Sequence, residues 1–126
     1  MRIDIQALGF SLTAPLLDHT RRRLRFALAR ASDRIKRVEV RLGDTNGPRG
    51  GADKFCRMRV VLAHAPLVLI EDVGADLYAV IGRAAERAGR NVARRLARLH
   101  QNVRSTKAKR KPLLSLLGES SDISSN

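Results

Sequence analysis

Five arginines recur at helical spacing in the second half of the chain and could bind phosphate groups. They are Arg83, Arg87, Arg90, Arg94 and Arg98. Residues three or four apart are neighbours on one face of a helix, so the five side chains form a row. A guanidinium group makes paired hydrogen bonds to phosphate oxygens. Glu86 is the one acid within this stretch, so pairing inside the helix cannot neutralise the row. The spacing therefore predicts contact with a polyanion.

Side chains suited to catalysis or metal binding are scattered along the chain. His19, His64 and His100 fall on different predicted elements, and none has a second His or Cys at metal-ligand spacing. Cys56 occupies an inward strand position and is interpreted as a buried, inert thiol. We expect no catalytic residue, no metal, no cofactor and no small-molecule substrate.

The glycine-rich segment 43–53 is the other candidate for phosphate binding. No GK[ST] sequence follows it and no helix is predicted to begin there, so it does not match a P-loop. It is interpreted as a hairpin loop, from which Arg49 and Lys54 could also reach RNA.

The arginine row requires a long amphipathic helix, which is predicted for residues 76–101 with Asp76 near its N-cap. Its apolar stripe lies roughly opposite the arginines and consists of Leu77, Ile81, Ala84, Ala85, Ala88, Val92, Leu96 and Leu99, continued by Val103. That stripe must pack against a sheet. Alternating residues predict strands over 2–8, 35–42, 54–64 and 67–73.

A second basic helix is predicted after Thr13, which can cap it, with Pro15 in its first turn. Its apolar face comprises Leu17, Thr20, Leu24, Leu28 and Ala31, and Arg22, Arg23 and Arg25 form a cluster on its flank. If the two helices lie side by side, this cluster and the arginine row can face one groove. Phe26 points away from the sheet, where it could pack against a loop or contact a base.

The predicted fold is α+β with the order β-α-β-β-β-α, a four-stranded sheet with two helices packed on one face. The other face of the sheet would carry Arg37, Arg41, Arg57 and Arg59 in contact with solvent. Residues 1–102 are expected to form this domain. Residues 103–126, basic at first and then rich in serine, are expected to form a flexible tail.

The composition indicates the kind of partner. Twenty-five Lys and Arg against 12 Asp and Glu give a net charge of +13, which favours a polyanionic ligand over a purely structural role. Three Phe, one Tyr and no Trp are too few for a platform that stacks successive bases, so structured RNA contacted through phosphates and shape is the better match. The single cysteine and the lack of a long apolar run predict a cytoplasmic protein that does not contact a membrane.

The element order and several short motifs resemble the ribosome hibernation-promoting factor family, also called ribosome-associated translation inhibitors or sigma-54 modulation proteins. The motifs are Asp33-Arg34-Ile35, the sequence DLYAVI over residues 76–81, the loop NGPRGG over residues 46–51 followed by Asp53-Lys54, and the basic positions Arg87, Arg90 and Arg94. The resemblance covers roughly residues 1 to 101. Asn91 stands where the family commonly has Gln, and Gly82 where it usually has Asp.

The resemblance implies binding to the small ribosomal subunit in the channel used by mRNA and tRNA. Basic residues of both helices would contact rRNA, which would block translation and preserve idle ribosomes during stress. The 126-residue chain has no room for the C-terminal dimerisation domain of long family members, so we expect a monomer. Two other hypotheses remain: a double-stranded-RNA-binding module, and a regulatory module that binds an acidic protein.

Overall fold

The fold follows the order that the sequence predicts. A computed structural model describes residues 1–44 and 53–113, with side chains up to residue 100. In chain order the elements are β1 (Arg2–Leu8), α1 (Ala14–Ala27), a 3₁₀ helix (Ala29–Arg34), β2 (Ile35–Asp44), β3 (Lys54–Leu62), β4 (Val68–Gly74) and α2 (Leu77–Leu113). None of the helices in this described part of the chain is long and apolar enough to cross a lipid bilayer.

The four strands form one mixed sheet in the order β1-β2-β3-β4. β1 runs parallel to β2, which requires the crossover that α1 provides. β2 with β3 and β3 with β4 are antiparallel neighbours. The α+β class and the β-α-β-β-β-α order are thereby confirmed.

One face of the sheet is apolar and covered by the helices. Cross-strand partners on this face are Val38 with Val60, Val40 with Met58, and Leu42 with Cys56. All six side chains are at most 1% exposed, as the alternation of the strands predicts. The sheet therefore gives both helices a continuous apolar surface.

Helix α1 begins and packs largely as expected. The Thr13 hydroxyl accepts a hydrogen bond from the Leu16 backbone nitrogen at 3.3 Å and caps the helix, while Pro15 occupies the first turn. Leu24 is fully buried, but the first buried leucine is Leu16 rather than the predicted Leu17, which is half-buried. This shifts the apolar face by one residue at the start of the helix.

Helix α2 is capped by Asp76, whose carboxylate accepts a hydrogen bond from the Tyr78 backbone nitrogen at 3.1 Å. Its buried residues are Val80, Ile81, Ala84, Ala85, Ala88 and Val92. The helix continues to Leu113, so the predicted end near Gln101 is wrong. The loss of apolar period after Gln101 removes a packing face but not helix propensity, because Lys, Arg and Ala are good helix formers.

The chain divides into two compact units, Met1–Ala93 and Arg94–Asn126. The first contains the sheet, α1 and the buried part of α2. The second contains the helical backbone from Arg94 to Leu113. The predicted hairpin loop with Arg49 and the serine-rich end of the tail lie outside the described residues.

The outer face of the sheet carries ion pairs, in keeping with the solvated face that the sequence predicts. Arg37 and Arg59 both contact Glu39, with N–O distances of 2.8 and 3.3 Å. The hydrogen bond from Arg37 is the main reason that the pKa of Glu39 is lowered. Arg57 pairs with Glu71 at 2.8 Å on the next strand. Among the basic residues predicted here, Arg41 alone has no such partner in the described chain.

Candidate nucleic-acid interface

Helices α1 and α2 lie side by side and run in the same direction. The contacts between them advance along both helices together. The His19 ring lies 4.7 Å from the Tyr78 ring, tilted by 55°, Arg23 contacts Gly82, and Ala27 lies against Gly89. The His19 imidazole also hydrogen-bonds the Tyr78 carbonyl, with Nε2 at 3.2 Å from the oxygen. The helix pair is thus fixed along its length within the first unit.

Arg23 connects the two helices rather than projecting freely into solvent. Its Nη2 donates to the Gly82 carbonyl at 3.3 Å and lies 3.7 Å from a carboxylate oxygen of Glu86. A Cβ at position 82 would lie 3.0 Å from the same nitrogen. Gly82, the position where the sequence departs from the family pattern, is therefore where the Arg23 guanidinium packs against α2.

Arg83 and Arg87 contact β4, on the side of α2 away from α1. Arg83 pairs with Asp72 at 3.2 Å and donates to the Val73 carbonyl at 3.3 Å. Arg87 donates to the Glu71 carbonyl at 2.8 Å. Helical spacing reports only partners within the helix, so it does not predict these groups from the sheet.

A groove opens between α1 and α2 near the end of α1. It has a volume of about 630 Å³. Its apolar floor includes Leu28, Ala85 and Val92, and its polar rim comprises Arg23, Arg30, Glu86 and Arg90. Arg30 and Arg90 are exposed and make no hydrogen bond or ion pair with any residue that the structure describes. The groove therefore presents two available guanidinium groups beside an apolar surface.

The structure divides the predicted site into separate places. Of the eight arginines, Arg23 and Arg90 line the groove, and Arg83 and Arg87 lie against β4. Arg22 pairs with Asp18 at 3.1 Å on the exposed face of α1. Arg25 is exposed, on the flank of α1 opposite Arg23. Arg94 and Arg98 belong to the second unit. Within the first unit, the groove brings together one member of each predicted cluster, Arg23 and Arg90.

Arg30 was missing from the predicted site. It lies three residues beyond the end of α1, in the 3₁₀ helix, where the period of an α-helix no longer predicts the direction of its side chain. Its position, four residues after Phe26 and seven after Arg23, is the sequence signal that could have placed it on the same side as these two residues. Phe26 itself is 84% exposed and lines the groove, so the expectation that it packs against a loop is wrong.

Two solved structures share this architecture. A ribosomal subunit interface protein from Coxiella burnetii matches with a TM-score of 0.65 and 15% identity, over 77% of this chain and 99% of that one. The Protein Y N-terminal domain from Thermus thermophilus matches with a TM-score of 0.62 and 27% identity, over 75% of this chain and 98% of that one. The chain has their fold. No protein-family model and no curated protein matches its sequence.

Cys56, the one thiol of the chain, lies in the core. Cys56 is fully buried, and burial, with a smaller contribution from the Asp72 carboxylate, raises the pKa of its thiol to about 12. This confirms the prediction of a buried thiol, which stays protonated at neutral pH. Within the described residues no three His, Cys, Asp or Glu side chains are grouped as metal ligands.

Lys54, suggested above as an RNA contact, has partners of its own. Its ammonium group lies 2.6 Å from an Asp44 carboxylate oxygen and 3.9 Å from Asp53. The hydrogen bond to Asp44 is the main reason that the pKa of Lys54 is raised. Lys54 therefore stabilises the ends of β2 and β3, and the groove between the helices remains the more accessible basic site.

Proposed function

We propose that this chain is a ribosome-associated inhibitor of translation that binds rRNA of the small subunit in the mRNA and tRNA channel. The observation that carries the proposal is the groove between α1 and α2, where exposed Arg30 and Arg90 have no partner in the described chain. The fold shared with a protein of the ribosomal subunit interface supports the choice of ribosomal RNA. The net charge of +13 agrees with it.

Binding would be mainly electrostatic. Arg30 and Arg90 would donate hydrogen bonds to phosphate oxygens and release condensed counterions from the RNA. Both guanidiniums are exposed, so a phosphate can reach them without displacing any partner among the described residues. Inhibition would follow from occupation of the channel and needs no chemical step.

The arginines that already have partners would act in a second way. Asp72, the partner of Arg83, is 16% exposed in its side chain, whereas Arg22 and Asp18 are 72% and 66% exposed and form a surface pair. Such pairs contribute about 0–1 kcal/mol each. A phosphate could therefore replace Asp18 at little cost, whereas Arg83 would contact rRNA while it keeps its pair with Asp72. Arg25, Arg87, Arg94 and Arg98 would extend the contact with rRNA as solvent-facing basic residues.

Charge reversal in the groove tests the proposal. R30E/R90E should abolish cosedimentation of the full chain with purified small ribosomal subunits, because two phosphate contacts become repulsive. R41E/K36E is the matched control: it makes the same change in net charge on exposed residues of β2 that line no part of the groove. Circular dichroism should show that both variants fold.

Equal cosedimentation of the two double variants would exclude the groove as the binding site. Competition by duplex RNA as strong as by small subunits would favour the double-stranded-RNA module instead. Retention of one protein partner after nuclease treatment, with no binding to subunits, would favour the acidic-protein hypothesis and overturn the proposal.

A further inference from the structure

Phe26 is the most exposed large apolar side chain in the described part of the molecule, at 84%. Its neighbours on α1 behave differently: Leu24 and Leu28 are at most 1% exposed and belong to the core. Exposure of an aromatic ring to water forgoes the hydrophobic stabilisation that burial would supply. The position therefore contributes little to the fold and is suited to an external contact.

The surroundings of Phe26 define the chemistry of that contact. The ring borders the same groove as Arg23, Arg30 and Arg90. Glu86 is the one acid lining the groove, and it lies 3.7 Å from Arg23. The site thus combines an available aromatic face with guanidinium groups and an apolar floor. A nucleotide offers the matching parts, since its base has a flat apolar face and its phosphate is an anion.

We propose that Phe26 stacks on one unpaired base of the bound RNA while Arg30 and Arg90 hold the flanking phosphates. This inference rests on the proposed function and adds a preference for an unstacked nucleotide. In a duplex both faces of each base are covered by neighbouring bases, so the contact selects a loop, bulge or strand end. A single aromatic ring can stack on a single base, so the proposal agrees with the low aromatic content of the chain.

An acidic protein segment could also pair with the arginines, but it would not need a planar ring. Leucine would serve almost as well as phenylalanine in ordinary apolar packing, whereas base stacking requires an aromatic face. Substitutions of Phe26 by aromatic or aliphatic side chains can therefore distinguish a bound RNA base from a bound acidic protein segment.

The test measures binding of the full chain and its F26A, F26L and F26W variants to purified small ribosomal subunits. F26A should weaken binding by about 5- to 150-fold, the effect of losing one base stack. F26L should weaken binding nearly as much, and F26W should bind like the wild type. The slope of log K against log salt should not change, because no phosphate contact is removed.

Two controls make the result specific. L69A removes another exposed apolar side chain, 70% exposed on the outer face of the sheet, and should leave binding unchanged. The wild-type chain contains no tryptophan, so the indole introduced by F26W is the only one. Its fluorescence should be quenched when subunits are added, and by single-stranded RNA more than by blunt duplex RNA.

Equal binding of F26A, L69A and the wild type would overturn the stacking proposal and leave the proposed function intact. Wild-type binding by F26L would show apolar packing instead and would also overturn it. If the wild-type chain itself does not bind small subunits, both proposals fail together.

Discussion

At the scale of single residues, the arginines differ by what surrounds each guanidinium. Arg83 and Arg87 donate to backbone carbonyls of β4, whereas Arg30 and Arg90 have no partner among the described residues. A carbonyl oxygen fixes the direction of a guanidinium but leaves its charge uncompensated. Arg87 therefore still contributes positive potential, whereas the charge of Arg83 is also paired with Asp72 at 3.2 Å. Arg30 and Arg90 contribute positive potential and have their hydrogen-bonding capacity available as well.

Cys56 provides a prediction at the same scale. Burial raises the pKa of its thiol from 9.0 to about 12. Between these values the unfolded chain loses the proton and the folded chain keeps it, so stability falls as the pH rises. From about pH 8 to about pH 11, wild type should lose about 2–3 kcal/mol more of its unfolding free energy than C56A does. Urea denaturation of both proteins at the two pH values measures the difference.

Thiol labelling is an independent check on Cys56. A reagent that reacts with thiolates should modify the folded wild type far more slowly than the unfolded chain, because the buried sulfur is both protonated and inaccessible. Rapid labelling in native buffer, or identical pH dependence of wild type and C56A, would contradict the buried position.

At the scale of elements, the parallel packing of α1 on α2 depends on glycine. A Cβ at position 89 would lie 2.7 Å from the Ala27 carbonyl oxygen, which is backbone and cannot move independently. At position 82 the nearest atom is the end of the Arg23 side chain, at 3.0 Å. The two glycines lie two turns apart in one helix and differ mainly in what faces them.

This difference predicts opposite effects of the same substitution. G82A should leave stability unchanged or raise it by up to about 1 kcal/mol, because alanine favours the helix and the Arg23 side chain can yield. G89A should destabilise by about 1–3 kcal/mol, because overpacking against α1 outweighs the gain in helix propensity. Thermal or urea unfolding of both variants measures this. A G89A variant as stable as G82A would show that the helices are not in close contact there.

At the scale of the whole molecule, a net charge of +13 favours binding that depends strongly on salt. Affinity of the wild type for small subunits should fall linearly in log K against log salt. Neutralising the two groove arginines in R30A/R90A should reduce the magnitude of the slope by about 1.5–2, roughly one counterion for each lost contact. Filter binding over a range of salt concentrations gives both slopes.

R41A/K36A serves as the comparison, since it removes the same number of charges from β2. Its slope should stay near that of the wild type, with at most a small general loss of affinity. A slope reduced equally in both double variants would mean that overall charge, and not the groove, determines binding.

The sequence by itself determined the elements and their order. The alternation of apolar and polar residues in β2 and β3 identified the side chains that point into the core, such as Val38 and Leu62. The side chains of Thr13 and Asp76, which can cap helices, identified the starts of the two helices. These signals are local. Successive side chains of a strand point to opposite faces of the sheet, and a capping side chain bonds to a backbone group within three residues. The length of α2 was missed, because its final part has no apolar stripe to mark it.

Only the tertiary structure decided how the basic residues are distributed. Helical spacing placed Arg83, Arg87 and Arg90 in one row, yet β4 supplies partners to the first two and α1 forms a groove beside the third. Arg30 and Phe26 joined the site because α1 ends against α2 at that point. Periodicity within one helix cannot report partners from distant parts of the chain, since those depend on which elements pack together.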